Sequence, residues 1–116
     1  MVYDEFRMRS FLKKLTNEEL YDSEYLLGVN FDKAPMESII ASLVSLYDNV
    51  SLLKVKIEGN NSVSSIAVED FKRKQKVLIK IMDDNRLYAA IMRYKIAERK
   101  NKEKAIVHKL VQSQNN

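Results

Sequence analysis

Between residues 35 and 59 the apolar positions Ile39, Leu43, Leu46, Val50, Leu53 and Ile57 step by 4, 3, 4, 3 and 4, with Ile40, Val44 and Tyr47 widening the stripe. That spacing keeps every member on one face of an α-helix. It predicts a helix of roughly 22 residues, about 33 Å long at 1.5 Å per residue. Its stripe is too broad for a two-stranded coiled coil, which makes it the central helix of a bundle. Pro35 suits the first helical position because its φ is fixed and it lacks an N–H, and Gly59-Asn60-Asn61 supplies a C-terminal stop.

The flanking stretches follow the same logic. Met8, Leu12 and Leu15 share a face of a first segment from Tyr3 to Leu15, with Phe11 beside them and with Tyr3 and Phe6 starting a neighbouring stripe. Thr16-Asn17-Glu18-Glu19 reads as a capping box, with Leu15 and Leu20 at the staple positions. It opens a second helix from Asn17 to about Leu27, ended by Gly28 in a left-handed cap. A further segment begins near Ser64 or Ser65 and runs through Phe71, Leu78, Ile81 and Met82 to Asp83-Asp84-Asn85. There the chain either breaks, with Asp84 capping a new helix, or continues to about Val111 as one rod. Residues 53–67 admit a rival hairpin, since Val55 and Ile57 alternate with Lys54, Lys56 and Glu58 before a Gly-Asn-Asn turn. The unbroken helical register through Ile57 favours helix.

The fold expected is therefore all-α, a small bundle of about four helices with a long, partly projecting C-terminal helix. The stretch Glu98–Lys104 holds no apolar residue, and a helix polar all round cannot be packed on a core. Residues 1–97 are thus read as the bundle core, and 98–116 as a charged helical extension and polar tail of the same domain.

Composition sharpens this picture by exclusion. The 116 residues contain no Cys, one His and two isolated Gly, which leaves no disulfide framework, cysteine nucleophile, multi-histidine site or glycine-rich phosphate loop. His108 has neither a second His nor a suitable acid cluster beside it, and Asp83-Asp84 lacks calcium-loop spacing, so no metal, cofactor or catalytic residue is assigned. The run from Ala34 to Asn49 is interrupted by Glu37 and Asp48, short of the ~18 apolar residues of a membrane span. Asp4 and Glu5 precede the apolar residues of the first segment, the wrong order for a signal peptide, so a cytoplasmic setting is expected, without a membrane. Abundant Lys, Asn, Ile and Tyr with scarce Gly and Pro suit an AT-rich coding sequence, compatible with a small viral or mobile-element protein.

Charge adds the one functional lead. Residues 1–61 carry seven Lys/Arg against ten acids, whereas residues 62–116 carry thirteen against six, for a net charge of +4 overall. A basic half persists where an anionic partner neutralises it, although a charged exterior also serves solubility. On a wheel of 100° per residue, Arg86, Arg93, Lys100 and Lys104 fall within about 40° of one another, with Ala90 and Ala97 interleaved and with Leu87, Tyr88, Ile91, Met92 and Tyr94 opposite. Small residues between bases would let a phosphate chain approach closely. Lys95, Arg99, Lys102 and Lys109 raise the local charge further. Tyr88 and Tyr94 beside Arg86 and Arg93 resemble the interleaving of single-strand binders, but their wheel positions assign them to the core.

Around Gly59, a DNA-binding helix-turn-helix would need a small residue four places before and an aliphatic one about six after. The chain has Val55 and Ser65 there, so that motif is not carried. Beyond the charged run, Ile106, Val107, Leu110 and Val111 form an apolar patch too small to fold alone, to be covered by a partner or a second copy of the chain. The expectation is a non-enzymatic protein whose basic C-terminal helix, through Arg86, Arg93, Lys95, Arg99, Lys100, Lys102 and Lys104, docks on nucleic acid or a nucleoprotein complex. An assembly subunit or inhibitor meeting an acidic protein surface is the alternative.

Overall fold

The structure, a computed structural model, describes residues 4–59 and 62–114. All regular elements among them are helices: α1 (Glu5–Lys13), α2 (Asn17–Leu27), α3 (Met36–Gly59), α4 (Ser65–Met82) and α5 (Asn85–Gln114). The expected count of about four is corrected to five, because the chain does break after Met82. The Asp84 amide turns back onto the Ile81 carbonyl at 3.2 Å, while the Asp84 carbonyl accepts from the Tyr88 amide at 3.0 Å and so begins a new helical ladder. Helix replaces the rival hairpin at 53–59 and from 65 onward.

Local signals explain most of the helix ends. Asp4 caps α1, its carboxylate accepting from the Arg7 amide at 3.4 Å, so the helix starts later than the apolar pattern alone suggests. Tyr3 and the Asn60-Asn61 part of the turn lie outside the described residues. Phe6, read as starting a neighbouring stripe, is exposed. At α2 the capping box is complete: Thr16 Oγ1 accepts from the Glu19 amide at 3.2 Å, and the Glu19 carboxylate accepts from the Thr16 amide at 3.0 Å. Gly28 then takes φ 68°, a left-handed value that L side chains seldom adopt. Pro35 sits one residue before α3 rather than inside it, its carbonyl accepting from the Ser38 and Ile39 amides.

The core gathers around α3. Ile39, Leu43, Leu46 and Val50 are buried on its predicted stripe, and Ile40 and Val44 join them. Val77, Leu78 and Ile81 of α4 and Leu87, Ala90 and Ile91 of α5 close over that stripe, and Met8 and Leu12 of α1, which packs on α5, join the same core. Phe31, in the α2–α3 loop, is buried too, its amide held by the Glu24 carboxylate at 2.9 Å. By length and mean hydropathy α3 would suffice to cross a membrane, although Glu37 and Asp48 interrupt its apolar run. In this fold its apolar face is spent on the other helices.

Polar ties join the remaining elements. Arg9 donates to the carbonyls of Phe31 (2.6 Å) and Ala34 (2.9 Å), fastening α1 to the α2–α3 loop. Arg73 of α4 donates to Asp22 of α2 at 2.8 Å and lies 5.3 Å from the Tyr25 ring centroid. The molecule measures 58 × 44 × 22 Å, with a radius of gyration of 17.3 Å. A compact domain of this length would have about 13 Å. The thin dimension matches two layers of helices, and the excess radius comes from a part of the chain that the layers do not cover.

Candidate docking surface on the C-terminal helix

That uncovered part is the second half of α5. Its first turns are anchored by Leu87, Ala90 and Ile91, and Lys95 then pairs with Asp48 of α3 while lying 4.9 Å from the Tyr47 ring centroid. Farther along, Tyr94, Ala97, Glu98 and Asn101 share a groove with Glu37, Ser38 and Ala41 at the start of α3. As α5 advances from Lys95 to Asn101, its neighbours on α3 retreat from Asp48 to Glu37. The two helices run antiparallel, and α5 passes the N-terminal end of α3. No described residue after Ile91 is buried, and every residue from 99 to 112 is exposed. At 1.5 Å per residue, the helix beyond Asn101 extends about 20 Å.

The structure divides the seven bases named from the sequence. Arg86 lies 3.6 Å from Asp4 and 3.8 Å from Asp84, so it faces acids of its own chain. Lys95 ties α5 to α3. Arg99 pairs with Glu103 at 3.3 Å and Lys102 with Glu98 at 3.4 Å, both pairs one turn apart on the exposed helix. Such surface pairs contribute little stability and open readily to a competing partner. Arg93, Lys100 and Lys104 have no carboxylate within ion-pair distance among the described residues, and the same holds for Lys109.

Two expectations about the helix faces need correction. Ala90 does not separate bases on an outer ridge, because it is only 2% exposed and packs in the core. The arc of α5 that meets the bundle centres on Leu87, Ala90, Ile91 and the half-buried Tyr94, and so adjoins the line on which Arg86 and Arg93 lie. The ridge is thereby split into a proximal part at the edge of the bundle and a distal part, Lys100 and Lys104, in the open. Tyr88, assigned to the core from its wheel position, is 47% exposed, whereas Tyr94 does pack against the core.

Ile106, Val107, Leu110 and Val111 are all exposed, with Leu110 at 58%. Ile96 is exposed as well and belongs with them, a residue the sequence reading passed over. Its signal was available: Ile96, Arg99, Glu103, Ile106 and Leu110 step by 3, 4, 3 and 4, so one stripe runs straight through the charged stretch. His108 is exposed in an open groove beside Lys104 and Val107, and no three His, Asp or Glu side chains gather as a metal site among the described residues.

Away from α5, the Glu19 carboxyl is held below its ordinary value chiefly by the Thr16 amide, with Lys80 assisting. It belongs to the α2 cap rather than to α5. Comparison of the chain with protein-family models, with curated proteins and with solved structures finds no match.

Proposed function

We propose that this chain is a non-enzymatic helical docking protein that presents the exposed end of α5 to an acidic surface on a protein partner. In this reading residues up to 97 form the supporting body, and the helix beyond them is the working arm. The observation that carries it is the combination along 99–112: continuous helix, complete exposure, and four aliphatic side chains interleaved with bases. Phosphate contacts would use the bases and leave the aliphatics in water, whereas a protein surface engages both.

Docking on nucleic acid or a nucleoprotein complex is the second reading, favoured by Arg93, Lys100 and Lys104, whose charges no carboxylate of the described chain neutralises. Affinity capture with and without nuclease separates the two. Protein capture that survives nuclease and is lost on Lys100→Glu with Lys104→Glu supports the docking reading. Binding to random duplex DNA at ~50 mM salt supports the alternative, with Arg93→Gln plus Lys100→Gln lowering the log-log salt slope by about two.

A further inference from the structure

We infer that the partner of α5 is an amphipathic helix with acidic flanks, laid along the stripe Ile96, Arg99, Glu103, Ile106 and Leu110. This rests on the docking reading above and deepens it. The five positions fall within an arc of about 80°, spaced 3, 4, 3 and 4 apart, which is the spacing at which one helix packs against another. That arc is centred about 150° around α5 from Leu87, Ala90 and Ile91; Met92, one turn earlier on the same line, still packs against the core, so the stripe is open to a partner from Ile96 onward. From Ile96 to Leu110 the stripe runs about 21 Å, enough for four turns of a partner helix.

Charge selects the occupant. Lys102 and Lys109 border the stripe on one side, and Lys100 and Lys104 border it on the other. Of these four only Lys102 has an acid within reach among the described residues, namely Glu98. Two copies of this helix would bring lysines against lysines in either the parallel or the antiparallel arrangement, which disfavours self-pairing. A helix with glutamate or aspartate on both flanks meets a base on each side. The Arg99–Glu103 pair, at 3.3 Å in the middle of the stripe, gives the register, because only a partner with polar groups at the facing positions avoids burying these charges against apolar side chains.

The test uses the full chain and three synthetic peptides of about 21 residues in fluorescence anisotropy. One is an amphipathic helix with Ile/Leu on its seam and Glu on both flanks. The second has Lys on the flanks, and the third is an acidic, proline-interrupted peptide of the same charge that cannot form a helix. The Glu-flanked helix should bind at least ~100-fold more tightly than either control, and Ile106→Ser with Leu110→Ser should remove about 100-fold of that affinity. Lys100→Glu, Lys104→Glu and Lys109→Glu together should transfer the preference to the Lys-flanked helix. Equal binding of the helical and non-helical acidic peptides would overturn the helix-pairing inference while leaving acidic docking intact; binding of neither would overturn both. Self-association lost on Leu110→Ser in sedimentation equilibrium would make a second copy the occupant. Stripe-dependent binding to duplex DNA or anionic vesicles without peptide binding would overturn the inference in favour of that surface.

Discussion

The stripe of α3 and the outer stripe of α5 are written with one spacing and have opposite fates. Ile39, Leu43, Leu46, Val50, Leu53 and Ile57 step by 4, 3, 4, 3 and 4, and so do Met92, Ile96, Arg99, Glu103, Ile106 and Leu110. The first four positions on α3 are buried, whereas from Ile96 onward none on α5 is even half-covered. Two differences account for this. The α5 stripe has an arginine and a glutamate as its central pair, and the path of the chain carries α5 beyond the end of α3, where no other helix among the described residues covers it. Spacing decides which side chains share a face, and the route of the chain decides whether that face is covered.

The contrast is broken most severely by a charge. Leu46→Asp places an unpaired carboxylate in the core and should cost about 3–5 kcal/mol, a large part of the ~5–15 kcal/mol that holds a domain together. Leu110→Asp, the same change on the exposed stripe, should stay within about 0.5 kcal/mol. Thermal melts followed by circular dichroism compare the two directly, and equal losses would mean that the end of α5 is packed after all.

Smaller effects sharpen the contrast within the body. Thr16→Ala should cost about 1 kcal/mol, and Glu19→Ala in that background should cost less than it does alone, because the reciprocal bond has already gone. Additive losses in the double-mutant cycle would disprove the coupling. Lys95→Met should lower stability by under about 1 kcal/mol, since the pair with Asp48 is partly solvated. Amide exchange should quicken around residues 92–98 and stay unchanged beyond 102, where the helix is exposed on every side.

The smallest effect is in pH. Glu19 has a depressed folded-state pKa, so its contribution is fully present above the ordinary carboxylate value of about 4.3 and is lost as pH falls through the lower folded value. The melting-temperature gap between the parent and Glu19→Gln should therefore be constant near neutral pH and shrink in acid. A gap that widened in acid would contradict that sign.

Which parts of this were readable from the sequence follows from the range of the interactions. The Thr16–Glu19 box, the Gly28 stop and the α3 stripe are local: their partners lie within a few residues, and periodicity or capping chemistry reveals them. Burial of Ala90 was not readable, because a wheel gives angles between residues of one helix and no neighbour to measure them from. Lys95 reads from the sequence as a docking base, and the fold instead brings it to Asp48, 47 positions away. Phe31 sits in a loop, outside any period, and its burial depends on Glu24 and on Arg9 gripping its carbonyl. Ile96 was readable in principle and was masked by the charges that follow it.

Because α5 is a single helix from Asn85 to Gln114, the exposed stripe is phase-locked to the body. One alanine inserted between Lys95 and Ile96, ahead of the whole stripe, would turn Ile106 and Leu110 by about 100° about the axis while moving them only 1.5 Å along it. Seven inserted residues would restore the facing to within about 20° yet carry the stripe about 10 Å outward. A partner that also touches the body should reject both insertions, and one that holds the arm alone should accept the second. The arm is thus a ruler with an angular scale as well as a linear one.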